Sequence, residues 1–337
     1  MIEWLRLPDS LREETLYQAN NQTGISAKAI EKDWWITLVL KAIQLIPDAD
    51  LFIFKGGTSL SKGWGLIDRF SEDIDLALDK NRFGPDENFQ KKAITALRRK
   101  SSLYVRNELK AQLNDVFMGL GLSSSEFTLI TPNLTVSDHD PEIIEIHYKS
   151  LLESNNYLAD KVILEISVRS MREPFGAVEI NSMLNEVFTQ SPWSYSPFRL
   201  QAVLPQRTFL EKIFLMHEEF LKPVEKIRSF RMSRHLYDLE RMMDTTYALD
   251  AIKDHDLFDA VISHRKRFMR LSNIDYINHK PETIDFIPPK EQYDAFRKDY
   301  NEMRLNMIYG DSPGFEDLLI RLVLLRSRLR ETSPEKK

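Results

Sequence analysis

The chemistry of this chain is concentrated in residues 52–78, FIFKGGTSLSKGWGLIDRFSEDIDLAL. An apolar lead-in ends at Gly56-Gly57, with Thr58 and Ser59 directly after it. Backbone N–H groups at paired glycines can approach an anion closely, and two hydroxyls add donors, so the turn suits a phosphate. Asp73 follows sixteen residues after Gly57, then Ile74 and Asp75, inside a second apolar run. If that run is a strand, its period of two puts both carboxylates on one face. Such a pair suits a hard divalent cation with oxygen ligands, such as Mg²⁺. A phosphate cradle beside a metal-binding pair is the equipment of phosphoryl or nucleotidyl transfer. Taken singly, Gly-Gly is often a plain turn and Asp-x-Asp a chance pair. Their order and spacing carry the inference.

The elements that must position these residues can be read on either side. Residues 9–20 have helical character, with Asp9 or Ser10 as cap. Residues 26–46 predict a helix capped by Ser26, with Ile30, Trp34, Leu38 and Ile43 at near-helical spacing. Trp34-Trp35 reads as core packing, and Pro47-Asp48 ends the helix. Residues 51–54 predict the strand before the glycine turn, and residues 60–64 a short helix after it. Residues 88–119 predict one long helix, whose Lys91, Lys92, Arg98, Arg99 and Lys100 read first as a solvated face. Period-two patterns return at 142–148 and 161–168. In the second, Glu165 lies mid-strand, opposite Val162, Leu164, Ile166 and Val168. It is either a solvent-facing glutamate or a third carboxylate on a strand next to Asp73 and Asp75; the pattern alone does not decide. Residues 191–200 carry Pro192 and Pro197 and read as a connection. Helical patterns follow at 207–221, 233–249 (Ser233 a candidate cap), 255–271, 289–309 and 314–330. A boundary is therefore expected at 197–205, giving an α+β domain over 1–200 and a helical domain over 201–337.

Bulk properties remove several alternatives. The chain has 337 residues, 42% hydrophobic and 29% charged, which is ordinary for a soluble globular protein of two domains or one large one. Its net charge of −5 argues against a uniformly basic nucleic-acid coat but leaves room for local patches. With no cysteine, disulfides, thiolate metal sites and Cys nucleophiles are excluded. No run approaches the ~18 apolar residues of a membrane span, and the first residues lack an apolar signal core, so a cytoplasmic protein without membrane association is expected. Lys62 is followed by Gly63 rather than Ser or Thr, so the P-loop pattern fails, and no dinucleotide-binding glycine pattern occurs. The seven histidines form no metalloprotease motif, and Asp138-His139-Asp140 reads as a solvated loop. Basic residues group at Lys222, Lys226, Arg228, Arg231 and Arg234, at Arg265, Lys266, Arg267 and Arg270, and at Arg321, Arg326, Arg328 and Arg330. A triphosphate or polynucleotide would find charge there; the plainer reading is helix surface balanced by acids.

With these residues in view, residues 55–78 resemble the signature of the AbiEii/AbiGii-type nucleotidyltransferases. These are toxins of bacterial toxin–antitoxin and abortive phage infection systems, within the DNA polymerase β-like superfamily. Glu31-Lys32-Asp33-Trp34-Trp35 is similar to the family's leading helix, and TFLEKIFLMHE at 208–218 to its lysine-bearing helix. SRHLYDL at 233–239 resembles its Arg…Tyr-Asp-Leu helix, and DYNEMRLNMIYG at 299–310 with the PGFEDLL that follows resembles its C-terminal helices. The resemblance covers most of the chain. It implies a polymerase β-like nucleotidyltransferase domain, a mixed sheet with flanking helices, followed by a mainly α-helical domain. It implies that Gly57, Thr58 and Ser59 hold the NTP while Gly56 shapes the turn. Asp73 and Asp75 would ligate Mg²⁺, with Glu165 the best match to a third strand carboxylate in a two-metal site. Lys212 would neutralise phosphate charge, and Asp238 would complete the nucleotide pocket. Arg234-His235 departs from the Arg-Asp of many relatives, which bears on the helical-domain contacts.

The implied reaction moves a nucleotide from an NTP to an RNA 3′ end, such as that of tRNA, releasing pyrophosphate and inhibiting growth; a protein acceptor is the alternative. The implied protein partner is a cognate antitoxin encoded nearby. Two rival readings share the scaffold. One is a degenerate module that binds nucleotide without turnover, against which the intact glycines and both aspartates count. The other is a kinase-like phosphotransferase, which would release NDP.

Overall fold

The computed structural model describes residues 1–84, 91–132, 135–153, 158–269 and 274–332. The chain forms two compact units, Met1–Gly63 with Phe70–Val203, and Trp64–Arg69 with Leu204–Lys337.

The first unit opens with α1 (Asp9–Thr23) and α2 (Ala27–Leu45). Strand β1 (Phe52–Lys55) runs into a single helical turn, α3 (Gly56–Thr58), that continues as a π-helical turn over Ser59–Gly63. Then come β2 (Asp73–Leu78), α4 (Lys91–Tyr104) and α5 (Lys110–Gly119), the two helices joined by a π-helical turn at Val105–Leu109. The unit closes with β3 (Phe127–Ile130), β4 (Glu142–Tyr148), β5 (Lys161–Ser167), β6 (Phe175–Ile180), α6 (Met183–Val187) and β7 (Phe198–Val203). The strands make one mixed seven-stranded sheet in the order β3-β4-β5-β2-β1-β7-β6. β2 pairs parallel with β5 and antiparallel with β1, so the aspartate strand is central. Ile74, Leu76 and Leu78 of β2 and Val162, Leu164 and Ile166 of β5 are buried at alternate positions, as the period of two requires.

Helix α2 starts where Ser26 caps it, Ala29 N–H donating to Ser26 Oγ at 3.3 Å. Trp34 and Trp35 are core residues, and Trp35 stacks on Tyr148 of β4 at 4.8 Å between ring centres. The helix is enclosed on nearly every side rather than along one stripe. Its charged residues Lys28, Glu31, Lys32 and Asp33 are therefore only 6%, 1%, 2% and 3% exposed, and each must find a partner.

Some expectations are corrected. Residues 191–200 are not wholly a connection, since β7 begins at Phe198, directly after Pro197. A proline ahead of a strand costs it no ladder bond. β3 and β6 are the two edges of the sheet, and only one of their faces is partly covered, so their alternation is weak in the sequence. The long helix over 88–119 is interrupted by its π-helical turn, and residues 88–90 lie outside the described residues.

The second unit is helical: α7 (Pro205–Phe220), α8 (Ser233–Met242), α9 (Thr246–Ala251), α10 (His255–Phe268), α11 (Tyr293–Asn306) and α12 (Phe315–Glu331). Pro205 stands in the first turn of α7, where its missing N–H is not needed. Residues 233–249 are two helices rather than one, because Thr245 caps a new start, accepting from Ala248 N–H at 3.3 Å. Ser233 does not cap α8. Asp299 of α11 does so instead, accepting from the N–H groups of Arg231 at 2.6 Å and Ser233 at 3.0 Å. Residues 64–69 join this unit through an antiparallel bridge of Arg69 with Ile308 and a bond from Tyr309 N–H to Asp68 O at 3.0 Å. Among the described residues, no helix is long and apolar enough to cross a membrane. The architecture is the expected α+β arrangement, a mixed sheet with flanking helices followed by a helical C-terminal region.

Candidate active site

In the first unit, β1 delivers the chain to Gly56, which has φ +79°, a left-handed conformation that side-chain-bearing residues avoid. A Cβ at Gly56 would meet Oδ2 of Asp75 at 2.1 Å, so the turn is glycine for steric reasons as well. Two buried hydroxyls brace it. Thr58 Oγ1 donates to the backbone oxygen of Asp73, and Ser59 Oγ donates to Gly56 O at 2.9 Å. The sequence suggested these hydroxyls as phosphate donors; the structure has both donating to backbone. The glycine turn is thereby tied to the first residue of β2.

Asp73 and Asp75 point to one half-buried face of β2, with Ile74 fully buried on the other. Glu165 of β5 is in register with Asp75 and is half-buried on the same face, not solvent-exposed. Lys55 is the cross-strand partner of Asp75 from β1, and its Nζ lies 3.6 Å from Asp75 Oδ1. Among the described residues, no three acidic or imidazole side chains are gathered closely enough to hold a metal ion by themselves. The donors nevertheless fit one class of ion. Mg²⁺ is held by one or two carboxylates and completes its shell with substrate phosphates and water. A carboxylate face in contact with a glycine turn would supply the protein's part of that shell.

In the second unit, Lys212 of α7 and Asp238 of α8 meet at 2.8 Å. Asp238 also takes both arms of Arg69, Nε at 2.7 Å and Nη2 at 2.8 Å. All three are buried, and two cations share one carboxylate. Burial opposes the charge on Asp238, but Arg69 and Lys212 outweigh it and hold its carboxyl far below the usual range. Burial pushes Lys212 down, and Asp238 only partly offsets this because Arg69 is close by. His235, one turn before Asp238, lies 3.5 Å from Lys212 Nζ through Nδ1. Burial, then Lys212 and Arg234, push its pKa well below the ordinary histidine value, so the ring is neutral.

Lys55 and Arg69 were not singled out from the sequence. Lys55 is visible only through strand register, and Arg69 through a partner 169 positions away. The basic groups mostly follow their plainer reading. Lys222 and Arg228 pair with Glu219, Arg265 with Glu218, Arg321 with Glu240 and Asp244, Arg326 with Asp285, and Arg328 with Asp244. Arg270 lies outside the described residues. The loop at Asp138-His139-Asp140 is not simply solvated: Asp140 is buried, accepts from Val168 N–H at 3.0 Å and pairs with Arg169.

No curated protein matches the sequence. Among solved structures the chain is similar to JHP933 from Helicobacter pylori, at 16% identity, with 91% of this chain and 94% of that chain covered and a TM-score of 0.43. It is also similar to MenT4, a nucleotidyltransferase toxin from Mycobacterium tuberculosis, at 14% identity, with 97% of this chain and 100% of that chain covered and a TM-score of 0.43. Residues 38–321 match the family described as nucleotidyl transferase AbiEii toxin, type IV TA system. That match spans well over half of the chain, from before the glycine turn to beyond Asp238, and the chain belongs to the AbiEii nucleotidyltransferase toxin family.

Proposed function

We propose that this toxin moves a nucleotide from an NTP to an RNA 3′ end, such as that of tRNA, in a Mg²⁺-dependent reaction that releases pyrophosphate. A cognate antitoxin would restrain it in the cytoplasm. One observation carries the reading: the glycine turn is packed on Asp75, and Asp75 is in register with Glu165. An anion cradle and a carboxylate face are thus parts of one folded stretch.

Each residue has a role in this proposal. Gly56 sets the turn, and the backbone N–H groups of Gly57 and Thr58 face the triphosphate, while Ser59, whose N–H is bonded to Gly56 O, supports the turn. The Thr58 and Ser59 hydroxyls act by holding the shape of that turn. Asp73 and Asp75 hold Mg²⁺, with Glu165 as the third carboxylate of a two-metal arrangement. Bound there, Mg²⁺ would stabilise charge on the leaving pyrophosphate and make the attacking hydroxyl more acidic. The hydroxyl oxygen bonds to the α-phosphorus as the bond to the α–β bridging oxygen breaks, and Glu165 takes the hydroxyl proton. Lys212 neutralises phosphate charge. Asp238, paired with Lys212, is the nucleotide-binding carboxylate of the helical unit.

The test is incubation of the protein with Mg²⁺, each labelled NTP in turn and total RNA, followed by separation of the products. Label in RNA together with free pyrophosphate is expected, and Asp73→Asn and Asp75→Asn should lose transfer while keeping their melting curves. NDP in place of pyrophosphate would mean a phosphotransferase. Tight NTP binding with no product from any acceptor would mean a binding module. Full transfer by folded Asp73→Asn would remove the metal assignment.

A further inference from the structure

Four charged residues are buried on α2, and none belongs to the candidate site. Each is anchored to a segment that leads into or out of it. Lys32 Nζ donates to Glu72 Oε2 at 2.7 Å, and Glu72 is the residue before Asp73. Asp33 uses both oxygens: Oδ1 lies 2.7 Å from Lys62 Nζ, and Oδ2 accepts from Met183 N–H at 2.8 Å. Lys62 lies in the π-helical turn that continues α3, and it also donates to Asn181 O at 2.7 Å. Glu31 accepts from Ser150 Oγ at 2.5 Å and from Leu151 N–H at 2.8 Å. Lys28 donates to Ser150 Oγ at 2.7 Å and to Leu152 O at 3.2 Å, and pairs with Asp160, the residue before β5.

Successive helix positions are turned by about 100°. Lys32 and Asp33 can therefore reach different segments from one point on a helix that is itself locked in the core. A buried ion pair is not an economical way to gain stability, because desolvation offsets much of the attraction. Its stronger effect is directional, since a charge-assisted hydrogen bond fixes both partners in distance and angle. Here the fixed partners are the neighbour of a candidate metal ligand and the far end of the candidate phosphate turn.

We propose that Lys32 and Asp33 are positioning residues for the reaction. Lys32 sets Asp73 through Glu72, and Asp33 sets the glycine turn through Lys62. The inference rests on the reading of Asp73, Asp75 and Gly56–Thr58 as the metal and nucleotide site. It separates two functions that a purely structural role would not separate: the Lys32–Glu72 pair governs metal affinity, and the Asp33–Lys62 pair governs triphosphate affinity.

The test uses the full chain, Mn²⁺ binding followed by electron paramagnetic resonance, and inorganic triphosphate binding followed by calorimetry without metal. Replacing a buried pair by apolar residues of similar volume often leaves stability intact, so the pairs are replaced together. Lys32→Met with Glu72→Met should weaken Mn²⁺ binding by about 10- to 100-fold, the usual effect of losing an outer-shell partner, and leave triphosphate binding nearly unchanged. Asp33→Asn with Lys62→Met keeps an acceptor for Met183 N–H and should do the reverse. Wild-type affinity for both probes in the folded double variants would overturn the proposal, as would equal weakening of both probes in both. If the Asp33/Lys62 variant does not fold, Lys62→Arg and Lys62→Gln replace it. Arg should then retain triphosphate binding and Gln lose it, and equal binding would overturn that half of the proposal. If the Lys32/Glu72 variant does not fold, Lys32→Arg and Lys32→Gln replace it. Arg keeps the ionic tether and should retain Mn²⁺ binding, whereas Gln should lose it, and equal binding by the two would overturn the proposal. Asp73→Asn in the same assay distinguishes the two levels. If it loses Mn²⁺ binding while the tether variants keep theirs, the positioning inference alone fails; if it binds Mn²⁺ as wild type, the site reading fails with it.

Discussion

Gly56 and Asp75 are in direct contact: a Cβ on Gly56 would stand 2.1 Å from Asp75 Oδ2. The backbone of the turn therefore limits where the carboxylate can point. Gly56→Ala would place a side chain at φ +79°, which costs roughly 1–2 kcal/mol, and would also push Asp75 from its position. The expected result is a folded protein with a lower melting temperature and weakened binding of both Mn²⁺ and inorganic triphosphate. Calorimetry on the purified variant checks this. Unchanged binding of both ligands would show that the contact has no bearing on the site.

Lys55 competes with any cation for Asp75, since its Nζ lies 3.6 Å from Oδ1. Both side chains are partly exposed, so the pair is weak, on the order of 0–1 kcal/mol. Lys55→Met should therefore tighten Mn²⁺ binding in the absence of nucleotide by up to about 5-fold, the factor that such an energy corresponds to. Titration at two salt concentrations is the check. A tighter site at low salt, with the difference shrinking at high salt, is the expected pattern.

Asp238 neutralises two buried cations, Arg69 and Lys212. Asp238→Asn would leave both without it and should destabilise the protein by about 3–5 kcal/mol. Because the folded pKa of Asp238 lies below its unfolded value, its stabilisation is complete above about pH 4 and is lost as pH falls toward the folded pKa. Urea unfolding between about pH 4 and pH 2 should show wild-type stability dropping in that window, and the variant dropping less steeply.

His217 and His235 should make stability pH-dependent in a different window. Burial lowers the pKa of both in the folded chain, with His279 adding to the effect at His217 and Lys212 at His235. Below about pH 6.5 the unfolded chain binds protons that the native chain does not, so stability falls as pH falls. The slope is at most about 1.4 kcal/mol per pH unit for each histidine. His217→Gln should flatten the slope between pH 6.5 and 5 relative to wild type in chemical unfolding. An unaltered slope would show that His217 titrates alike in both states.

Much of the candidate site's geometry was legible in the sequence because its signals are local. The doubled glycine marks a turn whose backbone no other residue adopts easily, and Asp73 and Asp75 share a face through strand geometry alone. The fold class followed from where period two gives way to period 3.6. The edge strands β3 and β6 escaped notice because a half-covered edge imposes little alternation on its residues. Ser233 fails as a cap because its hydroxyl and its own N–H both donate to a carboxylate from α11, Asp299.

The sequence alone determined the turn, the carboxylate pair, the helices on either side and the family to which they belong. Only the tertiary structure decided partners. Lys32 holds Glu72, Asp33 holds Lys62, and Asp238 holds Arg69 together with Lys212. The reason is physical: a buried charge must be paired, but which opposite charge it meets depends on how distant segments pack, and no local period records that.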